Sequence, residues 1–134
     1  MSDLVSQNLN MIFKSPKGET VHALKDLNFT IKKGELLTVL GPSGCGKTTL
    51  LNIAAGFIRP TSGIISLGNN EINGPGVDRG MVFQQGALFE WLTVTENVNF
   101  GHRMKKENSE TTAKKVEEWL EIVGLKGFGN TRTY

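Results

Sequence analysis

The sequence has little of what marks exported, membrane-spanning or nucleic-acid-binding proteins. Its 134 residues include one cysteine, Cys45, which cannot form an internal disulfide. No apolar run approaches the roughly 18 residues of a membrane-spanning helix, and the N-terminal residues 1–3 lack the basic and apolar run of an export signal. The formal net charge of +2 comes without a dense basic block. We therefore expect one cytoplasmic domain that binds no nucleic acid and meets a membrane only peripherally.

What is present is an alternation of strand and helix signals. Strands are predicted at 8–13 and 22–31, joined by a loop that contains Pro16 and Gly18, which indicates an antiparallel start. The nearly continuous apolar run 35–40 is typical of a strand buried on both faces and is predicted to be the central strand. Further strands are predicted at 63–67 and 80–83.

Two helices are predicted from apolar spacing. In the segment 47–55 apolar residues nearly encircle the helix, which predicts burial, and Gly56 can end it. Near the end of the chain, an amphipathic helix is predicted with Asn108 or Ser109 as its N-cap and Gly124 as its stop. Its apolar residues recur at spacings of three and four: Ala113, Val116, Leu120 and Val123.

The sharpest chemical signal is a match to GxxxxGK[ST] between a predicted strand and a predicted helix, the setting that a phosphate-binding loop requires. Glycines let backbone N–H groups turn toward an anion, while the helix presents its positive N-terminal end. Lys47 is expected to meet the β- and γ-phosphates of ATP, and the Thr48 hydroxyl to bind Mg²⁺. The candidate nucleotide-binding residues are Gly41, Pro42, Ser43, Gly44, Cys45, Gly46, Lys47, Thr48 and Thr49.

This loop, with Phe13 before it and the segment 81–84 after it, resembles the ATP-binding subunits of ABC importers over roughly residues 8–125. The resemblance implies an α/β P-loop nucleoside triphosphatase of the ABC type. It would be an incomplete domain, with an antiparallel β element at its start. Residues 1–100 would belong to the ATP-binding core and residues 101–134 would begin the helical subdomain.

The resemblance also implies roles for two residues outside the loop. Phe13 matches the aromatic that stacks on adenine, although a core aromatic on a strand is the alternative. Gln84 matches the glutamine that contacts Mg²⁺ and the attacking water, and its amide can change partners without moving charge. The alternatives are an exposed loop residue, or Gln85 in the same role.

The partners are implied by the same resemblance. Residues 73–76, 78–80 and 91–94 are similar to those of taurine, alkanesulfonate and nitrate importer ATPases. Such a subunit contacts the transmembrane permease subunits at the inner face of the cell membrane, pairs with a second copy, and serves a substrate-binding protein indirectly. The apolar segment 86–91 is expected either to border the permease contact or to pack beneath the next helix.

Nothing after Leu125 resembles the family's signature motif, its Asp-Glu strand or its switch histidine. We therefore expect the chain to be the N-terminal part of such a subunit, with no catalytic base of its own. Phosphoryl transfer depends on positioning and charge stabilisation, so ATP binding without useful turnover is expected. The alternative is a non-catalytic nucleotide-binding or permease-docking module; a P-loop kinase would leave the segments around Phe13 and Gln84 unexplained.

Overall fold

The computed structural model describes residues 2–134, so Met1, part of the N-terminus considered above, lies outside the described residues. The chain forms two compact units, the first ending at Met81 and the second spanning Val82–Tyr134. In chain order the elements are β1 (Leu4–Lys14), β2 (Thr20–Ile31), α1 (Lys47–Ala55), β3 (Ser62–Leu67), β4 (Asn70–Glu71), α2 (Val94–Met104) and α3 (Ser109–Ile122). Among the helices of residues 2–134, none has the length and apolar character needed to cross a membrane.

The first unit is built on an antiparallel sheet with the strand order β2-β1-β3-β4. β1 and β2 form a long hairpin in which Leu4 pairs with Ile31 and Lys14 pairs with Thr20. The antiparallel start predicted from the sequence is confirmed, and both strands extend farther than predicted. The strand predicted at 63–67 is also found, one residue longer at its start.

Helix α1 packs on this sheet and begins and ends where the sequence predicts. Its prediction as a helix buried on nearly all sides is wrong, because 56% of Leu51 is exposed. The helix packs against the sheet through one side, which leaves Leu51 in solvent. The core of the first unit consists of six buried aliphatic residues: Leu9, Leu24, Leu50, Ile53, Ile65 and Ile72.

The predicted central strand at 35–40 is not a strand in the structure, and neither is the segment 80–83. Leu36 is 90% exposed and Leu40 is 86% exposed, the opposite of the predicted burial. A strand forms only when its N–H and C=O groups bond to a neighbouring strand. Within residues 2–134 the sheet pairs only β1 to β4, so these two segments have no partner strand there.

The second unit contains the helices α2 and α3. The predicted cap of α3 is confirmed, because the Asn108 side chain accepts a hydrogen bond from the Glu110 N–H at 3.0 Å. The buried stripe of α3 is shifted from the predicted one: Thr112, Val116 and Leu120 are buried. Ala113 and Val123, which the spacing placed on this stripe, are exposed. These buried residues lie four apart, so the face that packs is the straight i, i+4, i+8 row.

Helix α2 begins with a capping box that the sequence analysis missed. The Thr93 hydroxyl accepts from the Glu96 N–H at 3.3 Å, and the Glu96 carboxylate accepts from the Thr93 N–H at 2.8 Å. The spacing of a threonine and a glutamate three residues later was the available signal. The last residues of the chain support this helix start, because Val94 and Thr95 donate to the carbonyls of Thr131 and Gly129.

We expect this capping box to make the start of α2 sensitive to acid. The backbone N–H of Thr93, together with its hydroxyl, holds the pKa of the Glu96 carboxyl below its ordinary value of 4.5. A carboxyl with a lowered pKa in the folded state stabilises the helix above its unfolded pKa, and this stabilisation is lost as pH falls through the folded pKa. We expect the amide chemical shifts of 94–97 to move toward random-coil values between about pH 5 and pH 2.

The control for this prediction is Glu96→Gln, which keeps a side-chain oxygen but cannot titrate. Its amide shifts at 94–97 should be flat over the same range. An acid transition of equal size in both proteins would mean that another carboxyl controls the start of α2.

Candidate nucleotide-binding site

The phosphate-binding loop, residues 41–46, leads directly into α1. Gly44 and Gly46 have left-handed φ angles of 80° and 97°, which glycine adopts without steric cost. Gly46 is the N-cap of α1, and no side chain caps this helix end. The first N–H groups of a helix have no intrahelical partner, so here they are available to an external acceptor. The loop therefore has the backbone features of an anion site, in agreement with the sequence motif.

Gly46 also fixes the loop against the sheet. A Cβ at this position would lie 2.3 Å from the Ala23 carbonyl oxygen and 3.1 Å from Leu24 Cδ2, both on β2. Only a residue without a side chain permits this approach. Leu50 and Ile53 then carry the helix into the core, so the N-terminus of α1 is held by buried contacts on the same element.

Lys47 lies folded over the loop. Its Nζ donates to the carbonyl oxygens of Gly41 and Pro42, both at 2.7 Å, and lies 3.4 Å from the Cys45 Sγ. The positive charge is therefore held at the same loop whose N–H groups favour an anion. These carbonyls are partners that phosphate oxygens can replace, because a charged acceptor forms the stronger hydrogen bond with an ammonium group.

Thr48 is exposed at the first turn of α1, so its hydroxyl is accessible to a ligand. Among the described residues, no group of three or more His, Cys, Asp or Glu side chains could hold a metal ion. This donor set fits Mg²⁺ that arrives with a nucleotide, because Mg²⁺ is commonly held by few protein oxygens together with phosphates and water. Thr49 is half-buried on the next position of the helix.

Phe13 lies in the same unit as this loop. It sits on β1 opposite Val21 and is 43% exposed, so it is not part of the core. This exposure disfavours the alternative in which Phe13 serves as a core aromatic. The hydroxyl of Thr61 accepts from the Ile12 N–H at 2.9 Å and so fixes the backbone directly before Phe13.

Gln84 and Gln85 belong to the second unit and are both exposed in a segment without regular secondary structure. The structure thus brings the loop residues together, places Phe13 in the same unit, and assigns Gln84 to the other. The following segment, residues 86–92, is named here the aromatic loop. Leu88 and Trp91 on this loop are 59% and 71% exposed.

Phe89 anchors the aromatic loop to α2 and answers one of the questions that the sequence left open. Its ring packs against Phe100 on α2 with 4.4 Å between ring centroids, and against Trp91 at 5.3 Å. Packing against the next helix is therefore confirmed for Phe89. Leu88 and Trp91 face solvent, and the permease contact expected for this segment stays a prediction.

A comparison with protein-family models matches residues 24–134 to the ABC transporter family. The chain belongs to this family. The matched residues include the loop motif at Gly41 to Thr49.

Several curated relatives are named as ATP-binding proteins of taurine import. "Taurine import ATP-binding protein TauB" of Pelagibacter ubique (strain HTCC1062) is 84% identical over 134 residues, which are 100% of this chain and 51% of that protein. TauB of Jannaschia sp. (strain CCS1) is 52% identical over the same 134 residues, or 50% of that protein. The chain therefore spans about half the length of these relatives.

Solved structures confirm the predicted fold class. A dimeric structure of the ATP-binding cassette MJ0796, in a post-hydrolysis state with ADP and Pi, matches with a TM-score of 0.82 at 32% identity. The match covers 97% of this chain and 61% of that one. A second dimeric structure of MJ0796, described as a bacterial ABC transporter cassette, also has a TM-score of 0.82 and covers 96% of this chain.

Proposed function

We propose that this chain binds Mg²⁺·ATP at residues 41–49 and is the ATP-binding part of a subunit that energises an importer of taurine or a related sulfonate. The observation that carries the proposal is the loop itself, in which Lys47 and the uncapped N-terminus of α1 converge. The taurine class rests on the 84% identity to TauB of Pelagibacter ubique.

The roles of the site residues follow from their chemistry. The loop N–H groups and Lys47 hold the phosphates, Thr48 supplies a hydroxyl oxygen to Mg²⁺, and exposed Phe13 stacks on adenine. Gln84 is proposed as a second Mg²⁺ contact. Bound Mg²⁺ supplies neutralisation of charge on the phosphate oxygens. Residues 1–100 are proposed as the ATP-binding core and 101–134 as the start of the helical subdomain.

The proposed partners are the membrane-spanning permease subunits, which the exposed Leu88 and Trp91 of the aromatic loop contact, and a second copy of the subunit. A substrate-binding protein acts indirectly through the permease. The subunit would then lie in the cytoplasm, on the inner face of the cell membrane. By itself the chain is proposed to bind ATP without useful turnover, because no residue of the sequence stands out as a catalytic base.

Titration with a fluorescent ATP analogue, with and without Mg²⁺, tests the proposal. We expect Mg²⁺ to strengthen binding to the wild-type chain, and Thr48→Ala to lose most of this Mg²⁺ dependence while it still binds the metal-free nucleotide. Thr49→Ala, the neighbouring hydroxyl, is the matched control and should retain the Mg²⁺ effect. No saturable binding by the wild-type chain would contradict the proposed function.

Phosphate release measured on the same samples tests whether the chain only binds ATP or also hydrolyses it. Saturable binding without phosphate release supports the chain as a binding part that needs further groups for turnover. Steady release of phosphate would show that the chain supplies its own hydrolytic groups and would overturn the expectation of binding alone.

A further inference from the structure

The aromatic loop is held by one side chain of α2. The Asn97 Oδ1 accepts from the Phe89 N–H at 2.8 Å, and the Asn97 Nδ2 lies 3.0 Å from the Phe89 carbonyl oxygen. One amide therefore satisfies both backbone polar groups of Phe89, the same exchange of hydrogen bonds that pairs neighbouring strands. Asn97 replaces a strand partner for a loop that has no regular structure of its own.

The same amide reaches the end of the loop. The Asn97 Nδ2 lies 3.3 Å from the Leu92 carbonyl oxygen and 3.0 Å from that of Thr93. Two amide hydrogens face three carbonyls, so the N–H donors of Asn97 are fully used on the loop and its exit. These groups are partly buried, where an unpaired donor or acceptor is destabilising.

Further contacts restrict the loop, among them a hydrogen bond of 3.3 Å from the Thr133 hydroxyl to the Phe89 carbonyl. The ring of Phe100, three residues after Asn97 on the same side of α2, packs on the Phe89 ring at 4.4 Å. The Leu92 N–H donates to the Phe89 carbonyl at 3.0 Å and closes a turn that has Glu90 and Trp91 at its tip. Helix α2 thus fixes both the backbone and the side chain of Phe89, and the turn presents Trp91 outward.

We propose that Asn97 is a positioning residue that holds the aromatic loop in one conformation, so that Leu88 and Trp91 are preorganised for contact with the permease. This inference deepens the proposed function, on which the identity of the partner rests. Preorganisation favours association because less conformational entropy is lost on binding. Glu90, exposed between the two apolar side chains, favours a partner segment that combines apolar and basic residues.

Hydrogen exchange at the Phe89 amide tests this inference in the chain itself. In the wild type, we expect Phe89 to exchange at least about ten-fold more slowly than an unstructured amide of the same sequence. In Asn97→Ala, this protection should fall by about ten-fold, and Trp91 should lose fluorescence anisotropy in a Trp119→Phe background. Asn130→Ala, an exposed asparagine in the same unit, is the matched control and should change neither quantity.

Asn97→Asp distinguishes positioning from space filling. Aspartate has nearly the same shape and keeps an acceptor for the Phe89 N–H, but it loses both N–H donors and directs negative charge at three carbonyls. We expect it to release the loop as Asn97→Ala does. Wild-type protection in Asn97→Asp, or an unprotected Phe89 amide in the wild-type chain, would overturn the inference.

ATP affinity measured in the same samples keeps the two proposals separate. The Asn97 variants should bind the fluorescent ATP analogue with wild-type affinity, because the phosphate-binding loop belongs to the first unit. If the wild-type chain does not bind the nucleotide analogue, this result would count against the proposed function alone. Intact nucleotide binding with a Phe89 amide that does not respond to Asn97 would count against the positioning role alone.

Discussion

Lys47→Ala is expected to weaken ATP binding by about 100-fold. The Lys47 ammonium donates two hydrogen bonds to loop carbonyls in the structure, and phosphate oxygens would replace these neutral acceptors with charged ones. A hydrogen bond to a charged group contributes about 1.5–3 kcal/mol, and each 1.4 kcal/mol corresponds to about ten-fold in affinity. Titration with the fluorescent ATP analogue at fixed ionic strength measures the loss.

Lys33→Ala is the matched control for this prediction. It removes the same charge from the turn that precedes the exposed segment 35–40, and it should change affinity by less than about three-fold because exposed charges are screened by salt. Circular dichroism of each variant verifies that the fold is retained. Equal losses in the two variants would mean that net charge, rather than the position of Lys47, governs binding.

The sequence predicts the bounds of α1 well because the signals for its two ends are local. A glycine in the left-handed region stands at each end of α1, Gly46 with φ of 97° and Gly56 with φ of 83°. Such caps interact with residues within one helical turn, so they can be recognised from the sequence alone. The capping box at Thr93 and Glu96 is equally local, and α2 was therefore predictable although it was missed.

The strand prediction for the segment 35–40 is wrong for the opposite reason, because a strand depends on contacts with distant residues. Its apolar run indicates that the residues favour burial. A strand also needs a neighbouring strand, and the sequence of the segment itself does not show whether one is present. With no partner strand among residues 2–134, the run has no regular secondary structure and is exposed, with Leu36 at 90%. The apolar run thus indicated that this segment favours burial, but it did not predict the secondary structure of the segment.

The candidate site shows the same difference between features set by local sequence and features set by distant contacts. Lys47 and Thr48 are fixed by their spacing from Gly41, whereas the exposure of Phe13 depends on which face of the hairpin is covered. Asn97 could not be found from the sequence, because its role rests on four hydrogen bonds to a loop five to eight residues earlier and to the helix start. An asparagine inside a helix is ordinarily only a weak helix former.

Gly46→Ala is expected to lower the stability of the first unit by about 2–5 kcal/mol. An alanine at φ of 97° is strained by about 1–2 kcal/mol, and its Cβ would lie 2.3 Å from the Ala23 carbonyl oxygen. Relief of this clash requires α1 to move away from β2, which separates the packed core around Ile53 and costs about 1–3 kcal/mol. The same movement removes the loop from its position, so ATP binding should be lost as well.

Gly44→Ala is the control that separates strain from contact. Its φ of 80° is also left-handed, but nothing lies within 4 Å of a Cβ there, so only the backbone strain of about 1–2 kcal/mol applies. Hydrogen exchange of the α1 amides should be measured, because Trp91 and Trp119 both lie in the second unit and their fluorescence does not report on the first. Equal destabilisation by the two substitutions would show that the approach of Gly46 to β2 does not hold the loop, and that the left-handed backbone alone accounts for the glycine.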